Sequence, residues 1–160
     1  MNTAMDRVAT WLQPEQVHLD IVLKDSTQAL QFIAGTVGQT HGLDPAPIFR
    51  ALSRREQAGS TGLGAGFAVP HARIPGIERP LTVLLRLGRP IDFKAPDHEP
   101  VLLMLGILVP EDGDRDDHLQ LLGRVAELFS QPRFRARMDT DPDVETLKES
   151  FRAGILQLQR

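Results

Sequence analysis

Residues 101–109 read VLLMLGILV, a run without a single polar side chain. A strand with one wet face alternates apolar and polar residues, so an unbroken apolar run marks a strand covered on both faces. Such a strand needs a packing layer on each side of its sheet. The segments VHLDIVL (17–23) and LTVLLRL (81–87) read as further strands, being short and rich in branched residues. FAVPH (67–71) is too short for a helix, and Val69 must be extended because a residue before proline avoids the α region. Between the last two long strands, GRPIDFKAPDHEP is a proline-punctuated connection or a weak hairpin.

The covering layers come from segments with helical periodicity. Asp25 or Ser26 can cap a helix whose Ala29, Leu30, Ile33 and Val37 share one face and which Gly42 ends. Asp44 as a cap and Pro45 at the first helical position predict a second helix to about Gln57. From Asp116 onward Leu119, Leu122, Val125, Ala126 and Phe129 keep an apolar stripe; Pro132 starts a short helix to about Met138. A last helix turns Val144, Leu147 and Phe151 inward, with Gly154 near its end. Strands interleaved with helices early and helices late predict an α/β fold of mixed α+β character. It is a three-layer α/β/α arrangement with a mixed parallel/antiparallel central sheet. No repeat or long linker divides the chain, which suits one domain over 1–160 with a core of about 17–151.

Composition removes several kinds of chemistry. With no cysteine, disulfides, thiolate metal sites and thiol catalysis are excluded. A net charge of −3 argues against non-specific nucleic-acid binding, which rests on Lys and Arg neutralising phosphates. The N-terminal MNTAMDRVATWLQPEQ has no apolar segment behind a basic start, and no window approaches the roughly 20 apolar residues of a membrane span. A cytoplasmic protein without membrane insertion is the expectation.

Function concentrates in REQAGSTGLGAGFAVPHAR, residues 55–73. The glycine spacing is not G-x-G-x-x-G, and no Gly-Lys-Ser/Thr closes the loop, so neither dinucleotide nor P-loop binding fits. What the loop offers is a set of backbone N–H groups at Gly62 and Gly64 and the hydroxyls of Ser60 and Thr61. Such concavities hold anions. Arg55 brings a permanent cation of phosphate-matching geometry, and His71 an imidazole able to carry a phosphoryl group. Pro70 and a strand end would leave its ring at the surface. A structural histidine is the competing reading of the same residue. His18, His41 and His98 lack motifs and read as structural or solvent-facing. The acidic run 111–117 lacks calcium-loop spacing. Arg133, Arg135 and Arg137 form a basic cluster, either plain helix surface or a docking face.

The same stretch, Gly-Ser-Thr-Gly-x-Gly-x-Gly ending in Ala-x-Pro-His, closely resembles the active-site motif of IIA domains of the bacterial phosphotransferase system, mannitol and fructose class. It is most similar to the free-standing nitrogen-regulatory branch. The similarity runs from about Val17 to Phe151 and includes HLQLL further on. The resemblance implies a phosphotransferase that uses no metal or organic cofactor. In it His71 receives a phosphoryl group, on Nε2, from a small HPr-like phosphocarrier protein. It also implies that Arg55 is the active-site arginine and His118 the second active-site histidine. Ala72 stands where the family commonly has glycine, and its methyl would crowd an approaching partner. Two roles stay open: a carrier that hands its group to a sugar-specific IIB domain, or a regulatory module whose protein partners change on phosphorylation. The absence of IIB and IIC parts favours regulation.

Overall fold

A computed structural model describes residues 16–158; the N-terminal stretch considered above lies almost wholly outside them. Among the described residues the order is β1 (Val17–Ile21), α1 (Ser26–His41), α2 (Pro45–Ala58), β2 (Gly62–Gly64), β3 (Phe67–Ala68), β4 (His71–Ile74), β5 (Leu81–Ile91), β6 (Val101–Pro110), α3 (Arg115–Phe129), α4 (Pro132–Thr140) and α5 (Val144–Leu158).

Local chemistry sets the helix ends as expected. The Asp25 carboxylate accepts from Gln28 N–H at 2.9 Å, and Gly42 closes α1 in the left-handed region at φ 67°. Asp44 caps α2 ahead of Pro45, and Asp114 caps α3 one residue earlier than the apolar stripe implied. Helix α5 does not stop near Gly154. A Cβ there would sit 2.6 Å from Phe134 Cδ1, so the glycine is an interior helix residue that lets α4 approach α5 closely.

The sheet is mixed. Its strands run β1-β5-β6-β3-β2, with β4 also on β6; β1 is parallel to β5, β5 antiparallel to β6, and both β3 and β4 parallel to β6. Strand β6 is the apolar run, buried on both faces as its composition requires. One face carries Phe67, Val69, Leu105 and Ile107 against Val125, Phe129 and Phe151 of the late helices. The other carries Ala68, Ala72, Val83 and Met104 against Leu30, Ile33 and Leu52 of α1 and α2. These are the three layers.

Two strands were invisible in the residue pattern. Gly62–Gly64 pairs antiparallel with β3, and His71–Ile74 pairs with β6 in the register already set by β3, Ala68 opposite Met104 and His71 opposite Ile107. Pro70 interrupts this ladder without shifting it, because it only fails to donate; its carbonyl accepts from Ile107 N–H at 2.9 Å. Strict alternation along β4 then turns Ala72 and Ile74 toward α1 and α2, and His71 and Arg73 toward the late helices.

Arg86 of β5 is the one charged side chain in the buried set. Its guanidinium donates to the carbonyls of Met138 (3.0 Å) and Asp141 (2.6 Å), capping the end of α4 from the sheet. Replacing it with leucine leaves both carbonyls without these donors. Arg86→Leu should therefore lower unfolding free energy by about 2–4 kcal/mol. Urea denaturation checks this; a loss within the scatter of surface substitutions would show that the cap is dispensable.

Candidate active site

His71 is the first residue of β4, and its ring is half-buried rather than lying at the surface as expected. The cause is the continued pairing of the strand beyond Pro70. Its Nδ1 lies 2.8 Å from the carbonyl oxygen of Val69, and its Nε2 lies 3.2 Å from Nε of Arg55. Both partners act in one direction only: a carbonyl accepts and a guanidinium donates. The proton must therefore sit on Nδ1, leaving a lone pair on Nε2. Burial first, and then the Arg55 charge, hold the His71 pKa below its ordinary 6.5, against the opposing effect of the Val69 carbonyl. The ring is thus of fixed tautomer and favours the neutral form, with an Nε2 lone pair that could act as a nucleophile.

Arg55 comes from the last turn of α2 and is itself held, donating to the Gly59 carbonyl at 2.8 Å. His118 comes from the first turn of α3. Its ring centroid lies 5.7 Å from that of His71, with the planes nearly perpendicular at 81°. Its Nε2 is buried and has no hydrogen-bond partner. Burial, with the nearby His71 and Arg73, lowers its pKa to about 4. The three residues that the motif pointed to are thus brought together.

The glycine loop is organised differently from the sequence reading. Ser60 Oγ donates to the Phe93 carbonyl at 2.6 Å and accepts from Gly62 N–H at 3.0 Å. The Glu56 carboxylate takes both the Thr61 N–H (2.8 Å) and hydroxyl (2.6 Å). The donors of Ser60, Thr61 and Gly62 that were expected to face an anion have internal partners here. Gly64 lies at the tip of the β2–β3 hairpin with φ 91°, and Asp97 Oδ2 stands 3.0 Å from where its Cβ would be. That carboxylate accepts from Ala65 N–H (2.8 Å) and Glu99 N–H (3.0 Å), tying the hairpin tip to the β5–β6 connection. A Cβ on Gly62 would come 2.7 Å from that of Ala95, so this glycine is needed for close packing of the β5–β6 connection.

Four residues escaped the sequence reading: Glu56, Asp97, Arg73 and the Val69 carbonyl. Arg73 follows His71 on the same face of β4, and its Nη1 is 3.4 Å from the Glu111 carbonyl at the start of the loop leading to His118. The alternation His-Ala-Arg-Ile was the available signal. Ala72 is buried toward the opposite helical layer, so its methyl does not meet an approaching partner. Among the described residues no group of three or more His, Cys, Asp or Glu is placed to hold a metal ion, and no helix is long and apolar enough to cross a membrane.

The chain as a whole is similar to known proteins. A nitrogen regulatory protein of Pseudomonas aeruginosa is 35% identical over 144 residues, covering 89% of this chain and 93% of that one. Another from Bradyrhizobium diazoefficiens is 33% identical over 134 residues, covering 84% and 87%. The crystal structure of nitrogen regulatory protein IIA-Ntr from Neisseria meningitidis superposes with a TM-score of 0.85 at 30% identity, covering 90% of this chain and 98% of that one. IIA mannitol from Escherichia coli shares the fold at a TM-score of 0.73 and 18% identity, over 88% and 98%. A family profile described as "Phosphoenolpyruvate-dependent sugar phosphotransferase system, EIIA 2" matches residues 10–153, and the chain that places His71, Arg55 and His118 in one cluster belongs to that family.

Proposed function

We propose that this protein is a phosphohistidine carrier that accepts a phosphoryl group on His71 Nε2 from an HPr-like phosphocarrier and works mainly as a nitrogen-regulatory signalling IIA protein. The observation that carries the reading is the pair of one-way hydrogen bonds that holds the His71 lone pair on Nε2. The relatives named above supply the regulatory part.

In the transfer, the Nε2 lone pair attacks phosphorus while the P–N bond to the donor imidazole breaks in line, its electron pair leaving with the donor nitrogen. The His71 ring keeps its Nδ1 proton and gains positive character, which the Val69 carbonyl at 2.8 Å stabilises. Arg55 Nε must leave Nε2 as the new bond forms. Its donors then pair with the phosphoryl oxygens, where charge is spread. His118 Nε2, which has no hydrogen-bond partner within the chain, donates to one of those oxygens. No cofactor takes part. Ser60, Thr61 and Gly62 act by holding the loop rather than by touching phosphate. Leu63 on β2 and Leu119 beside His118 are exposed apolar groups at this end of the fold, suited to contact a partner protein. A group of nearly two negative charges arriving there changes which partner docks. The second reading is a sugar-transport IIA of fructose or mannitol type passing its phosphate to a IIB domain; transfer to such a domain would favour it.

Incubation with phosphoenolpyruvate and the upstream relay proteins should produce an acid-labile phosphohistidine that mass mapping places on residue 71, and His71→Ala should take up none. Label retained by that variant defeats the proposal. Because the pKa of His71 is depressed, its neutral form dominates at pH 7. The transfer rate, corrected for the donor, should decline only at a pH lower than that at which an ordinary imidazole becomes protonated. Imidazole NMR should show His118 titrating at about pH 4. Folding holds this ring's pKa below the unfolded value, so the unfolded chain binds more protons between about pH 6.5 and 4. Stability should fall as pH drops through that window, and less so in His118→Asn.

The loop assignment has its own check. Gly62→Ala should cost about 1–3 kcal/mol of stability through overpacking against Ala95, and Thr61→Val should melt earlier yet still be phosphorylated on His71. Thr61→Val folded but inert toward the donor would return Thr61 to a phosphate-binding role.

A further inference from the structure

The structure divides the basic cluster of α4, whose nine residues read PRFRARMDT. Arg135 is half-buried and near enough to Asp139 to act on its carboxylate. Arg133 and Arg137 are exposed and line a groove of about 360 Å³ between α4 and α5. Its other wall is neutral: Ser150, Ala153, Leu156 and Gln157 of α5. The floor is Phe134 pressed against Gly154, a contact that any side chain at 154 would obstruct.

Three features of this groove point the same way. Among the described residues neither guanidinium has an ion-pair or hydrogen-bond partner. Among the described residues no acidic one lines the groove, although acidic residues outnumber basic ones 21 to 18 in the chain. Leu156, 49% exposed, puts an apolar group beside the two cations. A cation pair one helical turn apart repeats about every 6 Å along the axis, as do carboxylates at i and i+4 of another helix. Helical walls with an apolar strip receive a helix rather than an added strand.

We propose that this groove docks an acidic amphipathic helix of a partner protein, two carboxylates one turn apart pairing with Arg133 and Arg137 while an apolar side chain between them covers Leu156. Exposed ion pairs are individually weak. Recognition therefore needs bidentate pairing at both arginines together with the apolar contact.

The probe is a fluorescein-labelled helical peptide of about 16 residues, long enough to hold a helix, with Glu at i and i+4 and Leu between them. Anisotropy is measured at low salt against the full chain, R133E/R137E, and R50E/R124E. The last pair makes the same charge change at exposed arginines outside the groove. Circular dichroism melts confirm that both variants fold. Saturable binding by wild type and R50E/R124E, weakened at least tenfold in R133E/R137E and in a Glu→Gln peptide, supports the proposal. Absence of saturable binding, or equal weakening in both variants, overturns it. Sedimentation showing wild-type self-association that R133E/R137E abolishes also overturns it, by assigning the groove to a second copy of the chain.

Discussion

The active end of this protein depends on one hydrogen bond between His71 Nδ1–H and the carbonyl of the residue two positions earlier. It fixes the tautomer, aims Nε2 outward toward Arg55, and stands ready to stabilise positive charge on the ring. The bond exists only because Val69 is extended. Val69 is extended because Pro70 follows it, and because its N–H donates to the Thr61 carbonyl at 3.0 Å. The proline that ends a strand on paper is thus what turns a backbone carbonyl onto the imidazole. A carboxylate in that place would orient the ring equally well but would raise its pKa further. The neutral carbonyl raises it too, but not enough to undo the lowering by burial and by Arg55.

In the glycine loop the Ser60 and Thr61 hydroxyls and the Gly62 N–H, expected to face an anion, are engaged within the chain. Glycines beside Ser and Thr read as an open anion cradle, but these donors have partners of their own. Asp97 accepts at the hairpin tip and Glu56 at Thr61, with Ser60 tied to Phe93. Two carboxylates beside a proposed phosphoryl site would repel that group if their charge faced it. Here both are consumed by backbone and hydroxyl donors, and the Asp97 pKa is depressed chiefly by the Ala65 N–H. They hold rigid the platform on which Arg55 and His71 meet, and leave the cationic and neutral groups to face outward.

Most of the fold was legible because its signals are local. An all-apolar strand, the Asp25 and Gly42 caps and the Asp44-Pro45 start each depend on a few consecutive residues, and each appeared where expected. What was not legible depends on distant partners. Strand β4 owes its existence to β6, whose Ile107 lies opposite His71. Ser60 and Asp97 find partners 33 and 32 positions away. The interior place of Gly154 in α5 depends on a phenylalanine in another helix. In the site, His71 and Arg55 announced themselves by residue type, and His118 only through resemblance. Arg73 went unread because nothing local marks His71 as the start of a strand rather than the end of one.

The same continuity of pairing bears on how a phosphoryl group here would be read by other proteins. His71 belongs to a strand in unbroken register with β6, and β6 is buried on both faces by two separate helical layers. Displacing β4 would disturb packing on both sides, since close-packed interiors yield in discrete rearrangements rather than by degrees. The groups free to respond are peripheral: the Arg55 side chain, which could exchange Nε2 for oxygen, and the His118 ring, whose buried Nε2 has no hydrogen-bond partner. Under the proposed function, phosphorylation of His71 would work by changing charge on a fixed surface that includes the exposed Leu119 next to His118. A partner would distinguish the two states by electrostatics, with the fold beneath unchanged.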